Sequence, residues 1–92
     1  MPRWHALLTI SKAQALCDAG DLDVGLELAI RGLVMAHDCQ SLRQMNRVRK
    51  LLLKLDASPH ASSPLLAPLR DVIRDIYTGT RSPLEWRPLH TM

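Results

Sequence analysis

The stretch from residue 13 to residue 29 most constrains what this chain can fold into. A helical pattern runs up to Ala19, Gly20-Asp21 interrupts it, and a second helical pattern starts at once. Gly20 can adopt the left-handed conformation that ends helices, and Asp21 can then cap the helix that follows. The pattern predicts two antiparallel helices joined by a tight turn.

Composition extends this prediction to the rest of the chain. The 92 residues suffice for one small domain, and 47% of them are apolar. Only 3% are aromatic and none is Phe, so the core must be aliphatic. Leu and Ala favour helix, and no run of β-branched residues indicates a strand. We therefore expect an all-α fold, a four-helix array of two antiparallel helical hairpins.

Apolar residues that recur at steps of three and four residues place the helices. Ser41 followed by Gln44 predicts a capping box at the start of the third helix. Pro64 lies just before the start of the fourth helix and Pro68 lies in its first turn, so this turn is expected to be frayed or 3₁₀. The helices are predicted at residues 4–18, 22–37, 42–55 and 65–77.

The chain after the fourth helix differs in composition from the rest. It contains two prolines and no helical stripe. We therefore divide the chain into a helical, repeat-like domain over residues 1–78 and an extended tail over 79–92. Leu84, Trp86 and Leu89 are able to fold back onto the domain, and otherwise the tail is expected to be disordered.

Small residues mark where the first two helices are expected to touch. Gly25 and Gly32 lie seven residues apart on one side of the second helix. A glycine inside a helix costs about 1 kcal/mol relative to alanine, so two of them indicate close approach of a neighbouring backbone. The second helix is also apolar around most of its surface, which is typical of a helix covered on two sides. The residues assigned to this helix contact are Ala13, Leu16, Gly20, Gly25, Ala29 and Gly32.

The third helix carries a basic face, and two interpretations of it remain open. One is phosphate contact in a small nucleic-acid-binding protein that uses residues 42–55. The other is a solvated or partner-facing surface, or a set of partners for Asp21, Asp23 and Glu27 on a neighbouring helix. The net charge of only +3 and the absence of aromatic residues from this helix favour the second, so direct nucleic-acid binding is not expected. The basic face consists of Arg43, Arg47, Lys50 and Lys54.

The sequence contains no pattern typical of an enzyme, a metal site or a cofactor site. Only His37 and Cys39 have the spacing of zinc ligands, and no second pair accompanies them. Cys17 has no recognisable catalytic base, and Asp21 and Asp23 are explained by their place at a helix start. Two cysteines do not form a disulfide framework, and no apolar run is long enough to span a membrane. We expect a cytoplasmic protein that is not an enzyme and binds no membrane.

The hairpin around Gly20 resembles a tetratricopeptide repeat, a helical pair of about thirty-four residues with small residues at set positions. With Gly20 on the turn glycine of the family, Ala13 and Leu16 fall on the small and large positions of the first helix. Gly25 and Gly32 fall on the two alanine positions of the second helix. The sequence departs from the family pattern at Thr9, Lys12 and His37, where Trp, Leu and Pro are common.

A narrower resemblance covers most of the chain. The run from Trp4 to Asp23, the basic helix over 42–55 and the segment 69–77 are similar to the last repeats of certain bacterial transcriptional regulators. In those proteins a helix-turn-helix DNA-binding domain precedes degenerate tetratricopeptide-like repeats. The resemblance implies repeat-like stacking in a C-terminal sensor or interaction region that binds protein or peptide. About three repeats are normally needed to bury a repeat core, so we expect a homodimer or neighbouring repeats as well.

Overall fold

Residues 3–78 are described by a computed structural model, and within this range the chain forms four α-helices and two short 3₁₀ helices with no strand. The predicted all-α fold of four helices is confirmed, and the first three helices begin and end within one residue of their predicted bounds. The expected tail over 79–92 lies outside the described residues. The α-helices are α1 (Arg3–Asp18), α2 (Leu22–Asp38), α3 (Leu42–Asp56) and α4 (Ala67–Thr78), and the 3₁₀ helices are Pro59–Ser62 and Pro64–Leu66.

The turn between α1 and α2 is closed by backbone hydrogen bonds. Gly20 has a φ of +88°, in the left-handed region. The Asp21 N–H donates to the Leu16 carbonyl at 2.9 Å and the Gly20 N–H to the Cys17 carbonyl at 3.0 Å, the pattern of a Schellman motif. Asp21 occupies the N-cap position of α2, but its side chain makes no capping hydrogen bond. The predicted capping role of this side chain is therefore wrong, and its carboxyl interacts with Asp23 instead.

The turn between α2 and α3 has the same geometry without a glycine. Gln40 has a φ of +56°, and the Ser41 N–H donates to the Ala36 carbonyl at 2.8 Å. The predicted capping box is wrong, because the Ser41 side chain makes no capping hydrogen bond. Gln44 instead uses Oε1 to accept a hydrogen bond from Arg47 Nη1 at 3.1 Å. The two turns reverse the chain twice, so α1 and α3 run in the same direction beside the antiparallel α2.

The core lies where α2 contacts the other helices. α1 packs along α2, while α3, the Pro64–Leu66 turn and α4 also lie against α2. Apolar steps of three and four residues also predict that Leu42 and Leu65 face the core. Both are exposed instead: Leu42, the first residue of α3, is 67% exposed and Leu65 is 45% exposed. The 3₁₀ turn at the start of the fourth helix directs Leu66 inward in place of Leu65. The fully buried residues include Ala6, Ile10, Ala13, Ala29, Leu33, Ala36, Val48, Leu66 and Leu69.

Polar contacts fix α4 against α3 and the loop before it. The Tyr77 hydroxyl donates to Asn46 Oδ1 at 3.2 Å, and the Arg49 guanidinium lies 5.2 Å from the centre of the Tyr77 ring. Arg70 pairs with Asp56 near the other end of α4. These contacts, made at both ends of α4, set its position relative to α3.

Candidate protein-binding surfaces

The contact between α1 and α2 is too close for any residue larger than glycine at two positions. A Cβ atom built on Gly25 would lie 2.7 Å from Cys17 Sγ and 3.1 Å from the Cys17 backbone nitrogen. A Cβ atom built on Gly32 would lie 2.5 Å from Ile10 Cγ1. Real Cβ atoms almost never approach other atoms so closely, so these glycines set the distance between the two helices.

The six residues assigned to the helix contact do not all lie in it. Gly25 and Gly32 contact α1 directly. Leu16 lies at the edge of the contact, half-buried, with its Cβ 3.2 Å from the Cβ position built on Gly25. Gly20 lies in the turn, where nothing approaches the position of an added Cβ within 4 Å. The remaining two, Ala13 and Ala29, are fully buried in the core.

Arg47 connects α3 to α1. Its Nη2 donates to Gln14 Oε1 at 2.9 Å and to Ser11 Oγ at 3.1 Å, and its Nη1 donates to Gln44 Oε1. The side chain is half-buried between the two helices. Sequence reasoning placed Arg47 on a partner-facing surface, but its guanidinium is engaged within the fold.

The other three residues of the basic face differ from Arg47. Lys54 Nζ pairs with Asp18 Oδ1 at 2.9 Å, on the exposed edge between α3 and α1. Arg43 and Lys50 are exposed and make no ion pair or hydrogen bond with any residue in the described part of the chain. Within residues 3–78, two cations on this face are therefore free instead of four.

The acidic residues that were considered as partners of this basic face lie elsewhere. Glu27 pairs with Arg31 of its own helix at 3.1 Å, and both side chains are exposed. The interpretation that Asp21, Asp23 and Glu27 neutralise α3 is wrong, because Asp18 of α1 takes that place. A hydrogen bond with Asp23 is the main cause that raises the pKa of Asp21, followed by desolvation and the charge of Asp23.

One side of the α1–α2 hairpin presents apolar side chains that no other helix within residues 3–78 covers. On α1, Ser11 and Asp18 each follow a buried residue and contact α3. Thr9 and Leu16 each precede a buried residue, so they lie on the opposite side, away from α3. Val24, Leu28 and Met35 of α2 lie on that same side by the same rule.

We call this surface the α1–α2 flank. Val24 is 46% exposed, while the other members are half-buried at the edge of the core. Lys12 and Arg31 are exposed beside it and give it a charged border. Sequence reasoning recognised that α2 is apolar around most of its surface, but it did not select Val24 as the side chain that remains uncovered. The flank consists of Thr9, Leu16, Val24, Leu28 and Met35.

A groove of about 250 Å³ lies between the first half of α2 and the start of α4. Apolar side chains form most of it, and two exposed carboxylates, from Asp23 and Glu27, lie beside them. We call it the α2–α4 groove. Sequence reasoning missed this groove, because it depends on the way the 3₁₀ turn brings Leu65 next to α2. Its apolar residues are Leu26, Ile30, Pro64, Leu65 and Pro68.

The two cysteines are free thiols. Burial is the main cause that raises the pKa of the Cys17 thiol, and the carboxylates of Asp18 and Asp21 raise it further. A thiol with these surroundings is a poor nucleophile at neutral pH. Cys39 Sγ donates to the Ala36 carbonyl at 3.6 Å. In the described range, no three His, Cys, Asp or Glu residues are grouped so that they could hold a metal ion.

Comparison with protein-family models, with curated proteins and with solved structures finds no match to this chain. Among residues 3–78, no helix has the length and apolar character needed to cross a membrane.

Proposed function

We propose that this chain is a protein- or peptide-binding helical repeat module. The observation that carries the proposal is the α1–α2 flank, where Val24, Leu28 and Leu16 form an apolar strip on two adjacent helices. By the resemblance of its sequence, we further propose that the module is the C-terminal sensor or interaction part of a bacterial transcriptional regulator. Its partner in that case is a neighbouring repeat, a second copy or another cytoplasmic protein.

The position of the flank supports this proposal. α3 lies on one side of α1, and the flank lies on the other. A further helical hairpin at the flank would contact α1 and α2 and would extend the array in the direction opposite to α3. Repeat arrays bury their cores by stacking in this way. Full burial of one Val or Leu side chain contributes about 1.5–3 kcal/mol, and covering the flank gains the share of this energy that belongs to the area still exposed.

A function in nucleic-acid binding has weaker support. Arg47 and Lys54 already contact α1, which leaves Arg43 and Lys50 for phosphate contacts. Each phosphate contact to duplex DNA contributes a slope of about −0.9 to the dependence of log K on log salt, so two contacts give weak binding that salt removes. We expect no shift of duplex DNA in a gel at low salt. A shift that Arg43→Ala abolishes would support the nucleic-acid function instead.

Light scattering coupled to size-exclusion chromatography tests whether a second copy covers the flank. We expect the mass of the chain to rise above that of the monomer as its concentration increases. Val24→Lys should restore the monomer, because a cation would be buried in the interface. Leu53→Lys is the matched control, since Leu53 is an exposed apolar residue of α3 outside the flank. A monomer at every concentration would rule out a second copy as the partner.

A further inference from the structure

The apolar walls of the α2–α4 groove are held in place by the fold itself. On the α2 side Leu26 is buried and Ile30 half-buried, whereas Leu65 of the 3₁₀ turn is 45% exposed. The Leu65 N–H donates to Ser63 Oγ at 3.2 Å, and the next residue, Leu66, is fully buried. These two contacts fix the backbone on both sides of Leu65. The groove is therefore preformed, which lowers the entropy cost of binding an occupant.

The size of the groove favours one side chain of a peptide as its occupant. Its volume is about 250 Å³ and it is open to solvent. Pockets for drug-sized ligands are commonly about 300–1,000 Å³ and enclose most of the ligand. Pro64 and Pro68 form part of the walls, and proline has no backbone N–H to donate. Apolar contact is therefore the main interaction that these walls offer.

Two carboxylates border the groove on its α2 side. Asp23 and Glu27 are four residues apart, so they lie on one face of α2, separated by about 6 Å along its axis. Among residues 3–78, no basic side chain lines the groove. Glu27 pairs with Arg31, but the two side chains are 65% and 63% exposed, and such exposed pairs contribute little. A cation on an occupant can therefore take the place of Arg31.

The charge around this end of α2 is negative. Asp21, Asp23 and Glu27 are all exposed there, and they outnumber the nearby cation, Arg31. The hydrogen bond with Asp23, followed by desolvation and the charge of Asp23, raises the pKa of Asp21. The positive end of the α2 dipole offsets only about half a charge. An occupant that carries positive charge beside an apolar group therefore complements the groove.

We propose that the α2–α4 groove binds a basic peptide segment of a partner protein, in which a large apolar side chain lies next to lysine or arginine. The apolar side chain enters the groove between Ile30 and Leu65. The neighbouring cation pairs with Asp23 and Glu27.

This binding surface is separate from the α1–α2 flank. Ile30 follows the buried Ala29, whereas Leu28 of the flank precedes it, so the groove and the flank lie on different sides of α2. The proposal shares only the class of ligand with the proposed function. Each of the two can therefore fail without the other.

Titration of the isotope-labelled full chain with short capped peptides, followed by two-dimensional NMR, tests the proposal. The probe is acetyl-Gly-Leu-Arg-Lys-Gly-amide. Two comparison peptides replace either both of its cations by glutamate or its leucine by serine. Contacts of this extent correspond to a dissociation constant of about 1 mM. We expect the probe to bind several-fold more tightly than either comparison peptide and to shift the amide signals of residues 23–30 and 65–67.

Four variants locate the bound peptide. Glu27→Lys should weaken binding of the probe by roughly five- to tenfold, because it replaces an attraction by a repulsion. Leu65→Ala should weaken it several-fold through lost apolar contact. Asp18→Lys is the matched control, because it also reverses an exposed carboxylate of an ion pair but lies beside α3. Val24→Lys alters the flank, and neither of these last two variants should change binding. Circular dichroism verifies that each variant keeps its helices.

Three outcomes would each overturn the proposal. The first is the absence of shifts at millimolar concentrations of the probe. The second is equal binding of the glutamate peptide, which would show that the carboxylates select nothing. The third is binding that Glu27→Lys and Leu65→Ala leave unchanged or that Val24→Lys removes, which would place the peptide at another surface.

Discussion

Gly32 shows how one residue determines the separation of two helices. Alanine at this position would gain about 1 kcal/mol of helix propensity, yet its Cβ would lie 2.5 Å from Ile10 Cγ1. Ile10 is fully buried and has little space to move. We therefore expect Gly32→Ala to lower the free energy of unfolding by roughly 1–3 kcal/mol, as other overpacked cores do. Denaturant titration followed by circular dichroism measures this change.

A double-mutant cycle separates this steric effect from others. Ile10→Ala alone destabilises the core, but it removes the Cγ1 atom that an added Cβ would meet. In the Ile10→Ala background, Gly32→Ala should be neutral or stabilising. An equal loss of stability in both backgrounds would show that the contact with Ile10 is not the cause.

Cys17 makes the stability of the fold sensitive to alkaline pH. Its pKa is raised in the folded chain, so the thiol of the unfolded chain ionises first as pH increases. The unfolded state then binds fewer protons than the folded state, and the free energy of unfolding falls with increasing pH above the ordinary thiol range. Stability from this group is fully present below that range. Cys17→Ala should show a smaller alkaline loss, measured by urea unfolding from neutral to alkaline pH, and an unchanged loss would contradict this explanation.

At the scale of the elements, Arg47 holds α3 against α1. Removing it leaves Gln14, Gln44 and Ser11 without the donors that they use in the folded chain. Arg47→Ala should cost about 1–2 kcal/mol, as expected for the loss of part-buried hydrogen bonds made by a charged group. Lys54→Ala breaks an exposed ion pair and should cost at most about 0.5 kcal/mol. Thermal unfolding compares the two variants, and a larger loss for Lys54→Ala would contradict this assignment.

The elements were predictable from the sequence because their signals are local. Apolar steps of three and four residues, together with the interruption at Gly20, placed the first three helices within one residue. The partners of Arg47 were not predictable, because Gln14 and Ser11 are 33 and 36 residues away along the chain. The sequence pattern predicted that Leu65 faces the core, whereas Leu66 does so in the structure. The pattern failed here because the two prolines change the helical phase. The capping-box pattern predicted that the Gln44 side chain bonds to the backbone at the start of α3. This side chain bonds to Arg47 instead.

At the scale of the whole molecule, the two surfaces follow from the way α2 is covered. α1 contacts the small residues of α2. The residues of α2 that follow these small residues in sequence contact α3 and α4. The residues that precede the small positions, such as Val24 and Leu28, are left as the α1–α2 flank. The α2–α4 groove forms where the 3₁₀ turn meets α2. The sequence predicts that α2 is broadly apolar, but which apolar side chain stays exposed depends on where α4 packs.

Site-specific photo-cross-linking in cells tests the central claim, that the α1–α2 flank binds protein, most directly. A photoreactive amino acid replaces Val24 in one variant of the full chain and Ala57, an exposed residue at the end of α3, in the control variant. We predict one discrete cross-linked product from position 24, identified by mass spectrometry as a second copy, a neighbouring helical repeat or one other protein, and none from position 57. The absence of a product at position 24, or the same diffuse products at both positions, would contradict the claim.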